Sequence, residues 1–145
     1  MQISERIPHG PGLILIDRII RYDESFLEGA TMSHRRSSHP LARKDGKLPA
    51  SAGIEYGGQA IALHLGLIQT ESFPPPGIGL LIRVRDIRWS IHHLDAISDE
   101  LVIQAFKIEH SNQLAVYNFN LSSAAGVSIM EGQLSVYLQT EHHRR

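Results

Sequence analysis

The chain has 145 residues and no cysteine, which excludes disulfides, thiolate catalysis and cysteine-ligated zinc. Hydrophobic residues make up 42% and charged residues 20%, ordinary values for a globular protein in water. The net charge of −1, with nine histidines left uncounted, is a poor footprint for nucleic acid, which calls for a strongly basic domain. One domain spanning residues 1–145 is therefore expected, large enough to bury about two thirds of its unfolded surface. Met1 to Ile7 contains Glu5 and Arg6 and lacks an apolar core, so it does not read as a signal peptide. No apolar run approaches the ~18 residues of a membrane span, and a cytoplasmic location is expected.

Arg18 to Asp23 and Phe26 to Met32 flank Asp23-Glu24-Ser25 and read as a hairpin. Ser33 to Leu48 is polar and basic, a long loop of the kind that tends to carry function. Pro49 to Gln69 is predicted to be a helix, with Pro49 at a position where a missing N–H does no harm. It is apolar nearly all round, the mark of a buried helix. Its glycines at 53, 57, 58 and 66 oppose helix formation, each by up to about 1 kcal/mol, so a close approach to a covering sheet must compensate. Phe73-Pro74-Pro75-Pro76-Gly77 is a stiff connector, since consecutive prolines neither continue a helix nor enter a central strand.

After the connector the hydrophobic period changes to two. Ile78 to Trp89 is one strand, apolar first and charged later. Glu100 to His110 alternates through Val102, Gln104, Phe106 and Ile108. Gln113 to Ser123 sets Ala115, Tyr117, Phe119 and Leu121 on one face, and Val127 to Gln139 does the same with Met130, Leu134, Val136 and Leu138. Ser111-Asn112 and Ala124-Ala125-Gly126 are short turns, so these three strands form an antiparallel meander. One apolar helix and one such sheet make an α+β domain in which the sheet curls around the helix.

Glu55 is the first candidate for chemistry. It sits near the start of a helix that otherwise wants to be buried. Burial raises the pKa of an unpaired carboxyl, and such a group is a good general acid near neutral pH. The alternative is a glutamate that reaches solvent or favours the helix dipole. Gln59, four residues on, shares its face and is placed to orient it. His39, in the loop before the helix, is the second candidate, against a plain solvated histidine. His9, within Ile7-Pro8-His9-Gly10, is its rival. His34 reads as a loop residue and His64 as a satisfied core or boundary histidine. His92-His93 and His142-His143 are adjacent pairs, which on a strand point to opposite faces. No metal-ligand spacing, nucleophile elbow or phosphate loop occurs, and neither metal nor cofactor is expected. Arg35, Arg36, Arg83, Arg85 and Arg88 form basic clusters, either a solvated rim or a docking patch for an acidic partner.

Two segments resemble a known family. Ile7-Pro8-His9 followed by Leu15-Ile16-Asp17-Arg18-Ile19, and Leu48-Pro49-Ala50 followed by Gly53-Ile54-Glu55-Tyr56-Gly57-Gly58-Gln59-Ala60, resemble β-hydroxyacyl-(acyl carrier protein) dehydratases. With His39-Pro40-Leu41 and Asp45-Gly46 the chain looks most like the dehydratase-like hotdog subunits of aryl-polyene pigment clusters. The resemblance implies a hotdog fold, a long central helix wrapped by a curled antiparallel sheet. It implies dehydration of 3-hydroxyacyl thioesters carried by an acyl carrier protein. Ala50 N–H would bind the thioester carbonyl, His39 would remove the C2 proton, and Glu55, oriented by Gln59, would protonate the leaving hydroxyl. His9 falls in the N-terminal motif, beside the substrate. The five arginines would dock the acidic carrier. The site would need a dimer, either a homodimer or a heterodimer, or a higher assembly of dimers. Departing from the family, the chain has His39-Pro40 in place of a His-Phe-Pro-Gly loop. A hotdog thioesterase and a partner subunit lending half a site remain as alternative readings.

Overall fold

The computed structural model describes residues 15–68, 78–111 and 113–140. The expectations for His9, the triple-proline connector and His142-His143 lie outside the described residues. Strands β1 (Arg18–Asp23) and β2 (Phe26–Thr31) form the expected hairpin. Its turn is closed by Asp23, whose Oδ1 accepts the Ser25 N–H at 2.9 Å. The helix α1 (Gly53–Ile68) follows a single 3-10 turn, Ala50–Ala52. Then come β3 (Ile78–Trp89), β4 (Leu101–His110), β5 (Leu114–Ser123) and β6 (Ser128–Thr140). All neighbours pair antiparallel in one six-stranded sheet of order β1-β2-β4-β5-β6-β3. The meander β4-β5-β6 is its centre, and Gly126 closes the β5–β6 turn at φ 95°, a conformation that suits glycine.

The sheet wraps α1. Tyr56, Ala60, Ile61, Leu63 and Leu65 are fully buried against Leu27, Ile103, Tyr117, Phe119 and Leu121. The close approach needed by the helix glycines is real at Gly57. A Cβ there would lie 2.8 Å from a ring carbon of Phe119. At Gly53 it would lie 2.9 Å from the Met130 sulfur. The inward faces of β5 and β6 hold Ala115, Tyr117, Phe119, Leu121, Met130, Leu134 and Val136, as their alternation predicts. On β4 the buried residues are Leu101, Ile103 and Ala105, whereas Phe106 and Ile108 face out. Phe106 is covered on one side by Phe26, with ring centroids 5.0 Å apart.

Edge strand β3 carries a bulge. Arg85 pairs with Gln133 but Arg88 pairs with Glu131, so β3 advances one residue more than β6. Asp86 takes the left-handed conformation at φ 54°. Ile87 then fills the space above Gly132, where a Cβ would meet its Cδ1 at 2.2 Å.

Candidate active site

Glu55 stands in the first turn of α1 and is half-buried. It shares the wall of an open cleft of about 350 Å³ with Leu41, Pro49, Ser51, Ala52 and Ile54. The walls are mostly apolar, and Glu55 is the one ionisable group among the described residues that line it. The helix start places the positive end of the dipole beside this carboxyl.

The segment leading into the helix is sewn to the 3-10 turn Leu94–Ala96 and the residues before it. Leu48 N–H donates to Asp95 Oδ1 at 2.8 Å, and Leu94 N–H donates to the Leu48 carbonyl at 2.8 Å. Ala50 N–H donates to the His92 carbonyl at 2.8 Å. Within the chain, the Ala50 N–H that was expected to bind the thioester carbonyl is taken by the neighbouring loop. Pro49 is the N-cap of the 3-10 turn, in extended conformation, rather than the first helical residue.

His39, the expected base, is held inside the chain. It is buried, with 6% of its surface exposed, and both ring nitrogens are engaged inside the chain. Nδ1 accepts the Leu41 N–H at 3.0 Å, and Nε2 lies 3.2 Å from the Tyr56 hydroxyl. A base needs a free lone pair facing substrate, and the lone pair of this ring is spent on Leu41. Burial pulls the His39 pKa down, and the charges of Arg36 and His34 add to the effect. Tyr56 points to the buried side of the helix. Its hydroxyl meets Ser33 Oγ at 2.7 Å, and burial pushes its pKa up to about 12. Ser33 Oγ donates to the Leu15 carbonyl at 2.6 Å, and Thr31 Oγ1 donates to the same carbonyl at 2.5 Å. Gln59 is buried here too, with Oε1 accepting the Leu15 N–H at 2.8 Å.

His64 is the core histidine that its helix position predicts. Nδ1 is bonded to the Tyr117 hydroxyl and Nε2 donates to the Asp23 carbonyl at 2.7 Å. Burial lowers its pKa. His34, expected as a plain loop residue, is instead buried, with Nε2 on the Ile97 carbonyl at 2.9 Å and burial lowering its pKa.

Arg35 reaches the Asp95 carbonyl at 2.6 Å while remaining exposed. Arg36 is exposed near His39. Arg83, Arg85 and Arg88 are exposed on β3 and pair with Ser135, Gln133 and Glu131, so all three lie on the outer face of the sheet. They do not line the Glu55 cleft. No group of three His, Asp or Glu able to hold a metal occurs among the described residues. No described helix is long and apolar enough to cross a membrane. Sequence reasoning missed Ser33, Tyr56 and Asp95. The signal available for Tyr56 was a hydroxyl on a helix stripe shared with Ala60 and Leu63.

A long helix wrapped by one antiparallel sheet, with a carboxyl in its first turn beside an open cleft, defines a hotdog-fold protein. A family model described as ApeP-like, the ApeP dehydratase, matches residues 1–144, and the chain belongs to that family of aryl-polyene dehydratases. Among solved structures, the dehydratase heterocomplex ApeI:P from Xenorhabdus doucetiae is similar with a TM-score of 0.84 at 20% identity, over 97% of this chain and 93% of that chain. A thioesterase from Haemophilus influenzae is similar at 0.59 and 13% identity, over 87% and 81% of the two chains. The E. coli PaaI protein of the phenylacetic acid degradation operon is similar at 0.58 and 12% identity, over 83% and 81%. At such identities these likenesses speak to the fold. A search of curated proteins found no match.

Proposed function

We propose that this chain contributes Glu55 to a dehydratase site completed by a second hotdog subunit. The site converts 3-hydroxyacyl thioesters of an acyl carrier protein into trans-2-enoyl thioesters. The observation that carries the reading is Glu55 as the one ionisable group among the described residues that line a mostly apolar cleft at the helix start. An acyl chain lies along Leu41, Pro49 and Ile54. A base withdraws the C2 proton, the C2–C3 double bond forms, and the C3–O bond breaks. Glu55 delivers its proton to the departing hydroxyl, which leaves as water. Because His39 is occupied within the chain, the base comes from outside the described residues. The family membership and the heterocomplex nature of ApeI:P support an ApeI-like partner as its source. The acidic carrier docks on the outer-face arginines of β3 and on Arg35 and Arg36.

The test is an assay of the purified chain, alone and with an ApeI-like subunit, on 3-hydroxyacyl and saturated acyl thioesters. Enoyl product that requires both subunits supports the reading. Free thiol without enoyl product overturns it in favour of hydrolysis. Full turnover by this chain alone removes the need for a partner base.

A further inference from the structure

The polar cluster under the helix start can be followed proton by proton. Leu41 N–H has one hydrogen and gives it to His39 Nδ1. Nδ1 is thus an acceptor, and the single proton of a neutral imidazole sits on Nε2. Nε2 faces the Tyr56 hydroxyl, which therefore accepts. Ser33 uses its own hydrogen on the Leu15 carbonyl, so at the Tyr56–Ser33 contact the tyrosine must donate. The Leu15 carbonyl ends the chain, and Thr31 occupies its second lone pair. Every hydrogen has one acceptor and the direction is fixed throughout: Leu41, His39, Tyr56, Ser33, Leu15.

This arrangement has no place for a second proton on His39. An imidazolium would set an Nδ1–H against the Leu41 N–H, donor against donor. The charged neighbour is Arg36, of the wrong sign to favour it. Two points on the Glu55 site depend on the ring. Leu41, 37% exposed, is a lip of the cleft and is held by its N–H on His39. Tyr56 directly follows Glu55 in the helix and is held by Nε2.

We infer that His39 is a positioning residue, a neutral clamp that sets the Leu41 lip of the acyl cleft and seats the Glu55–Tyr56 turn. The clamp tunes fit of the acyl group and takes no proton from substrate. The inference rests on the dehydratase reading for its kinetic readout alone.

The experiment uses the chain with its ApeI-like subunit and a 3-hydroxyacyl carrier-protein substrate. In His39→Asn, the amide oxygen stands where Nδ1 stood and keeps the Leu41 bond. We expect KM within about threefold of wild type, because asparagine restores the Leu41 bond, and kcat lowered by less than about tenfold, because the Nε2–H that holds Tyr56 is lost. In His39→Ala the lip is released as well, and KM rises about tenfold with kcat again lowered by less than about tenfold. A base could not be replaced in this way. A loss of at least about 10²-fold in kcat for His39→Asn overturns the inference. Nitrogen-15 spectra of the wild-type chain decide the same point without turnover. The expected signature is an Nε2-protonated ring with an unprotonated Nδ1 at neutral pH. An Nδ1-protonated tautomer or an imidazolium there overturns the clamp. A complex that makes no enoyl product sinks the dehydratase reading, and the spectra still decide the clamp.

Discussion

Two buried histidine–tyrosine contacts brace the two ends of the central helix, and they run in opposite directions. At the C-terminal end the tyrosine gives and the histidine takes: Tyr117 donates to His64 Nδ1, and Nε2–H ends on the Asp23 carbonyl. That contact ties the β1–β2 turn to the helix and stops there. At the N-terminal end the histidine gives and the tyrosine takes and passes on, from His39 through Tyr56 to Ser33. That contact borders the Glu55 cleft, and its far end is the backbone of the cleft lip. The same two residue types thus make a staple in one place and a support for a site in the other. The difference lies in which backbone group each imidazole nitrogen meets.

The sharpest contrast concerns turnover. Glu55→Gln in the two-subunit complex is expected to lower kcat by at least about 10²-fold, measured as enoyl formation. His64→Asn, at the other end of the same helix, is expected to lower unfolding stability and leave kcat within about threefold. Loss of activity in both would erase the functional distinction between the ends.

Removing each hydroxyl comes next. Tyr56→Phe strands the buried Nε2–H of His39 and takes the donor from Ser33, so a loss of about 2–3 kcal/mol is expected in urea unfolding. Tyr117→Phe leaves one acceptor, His64 Nδ1, without its donor, and about 1–2 kcal/mol is expected. Equal losses would mean that the tyrosine at the N-terminal end does not relay.

Packing separates two glycines of the N-terminal half. Gly57→Ala drives a methyl into the Phe119 ring and is expected to destabilise by about 1–3 kcal/mol. Gly53→Ala meets the flexible thioether of Met130, which can move, so a smaller change is expected, within about 1 kcal/mol. Thermal or urea unfolding of the two variants checks the order.

The smallest effect is a pH slope. The pKa values of His34, His39 and His64 are all lowered by burial. Above the unfolded value of about 6.5, rings in both states are neutral and this contribution to stability is complete. As pH falls through about 6.5 towards the lowered folded values, the unfolded chain takes up protons that the folded chain refuses, and stability is lost. Tm should therefore drop on acidification below about pH 6.5, and His39→Asn and His64→Asn should each flatten part of that drop. A slope unchanged in both variants would show that neither ring is held neutral.

The fold was largely legible in the sequence because its two periods are long and clean. The helix declared itself by apolar residues on every side, and the meander by Ala115 to Leu121 and Met130 to Val136. On β4 the alternation through Val102, Gln104, Phe106 and Ile108 left unsettled which face was buried, since apolar residues stand on both. Leu101, Ile103 and Ala105 won because they oppose the helix. In the site, Glu55 was visible as a charge in an apolar run. The fates of Ala50 and His39 were not visible. Each turns on one hydrogen bond, to the His92 carbonyl in one case and from Leu41 N–H in the other. Spacing along the chain carries no information about which partner takes a given proton.

The bulge at Asp86 acts as a change of phase in the written order of β3. Without it, positions 83, 85 and 87 would share a face, and Arg88 would turn towards the side where Val84 lies. One surplus residue shifts the reading by one, so an odd, odd, even spacing becomes three guanidinium groups on the same side of the sheet, the first two about 7 Å apart along the strand. The regularity of this charged row is therefore hidden in the sequence and exists only after folding. Straightening the strand with Asp86 still in it would keep every arginine and break the row, whereas deleting Asp86 would leave the three arginines in plain alternation on one face.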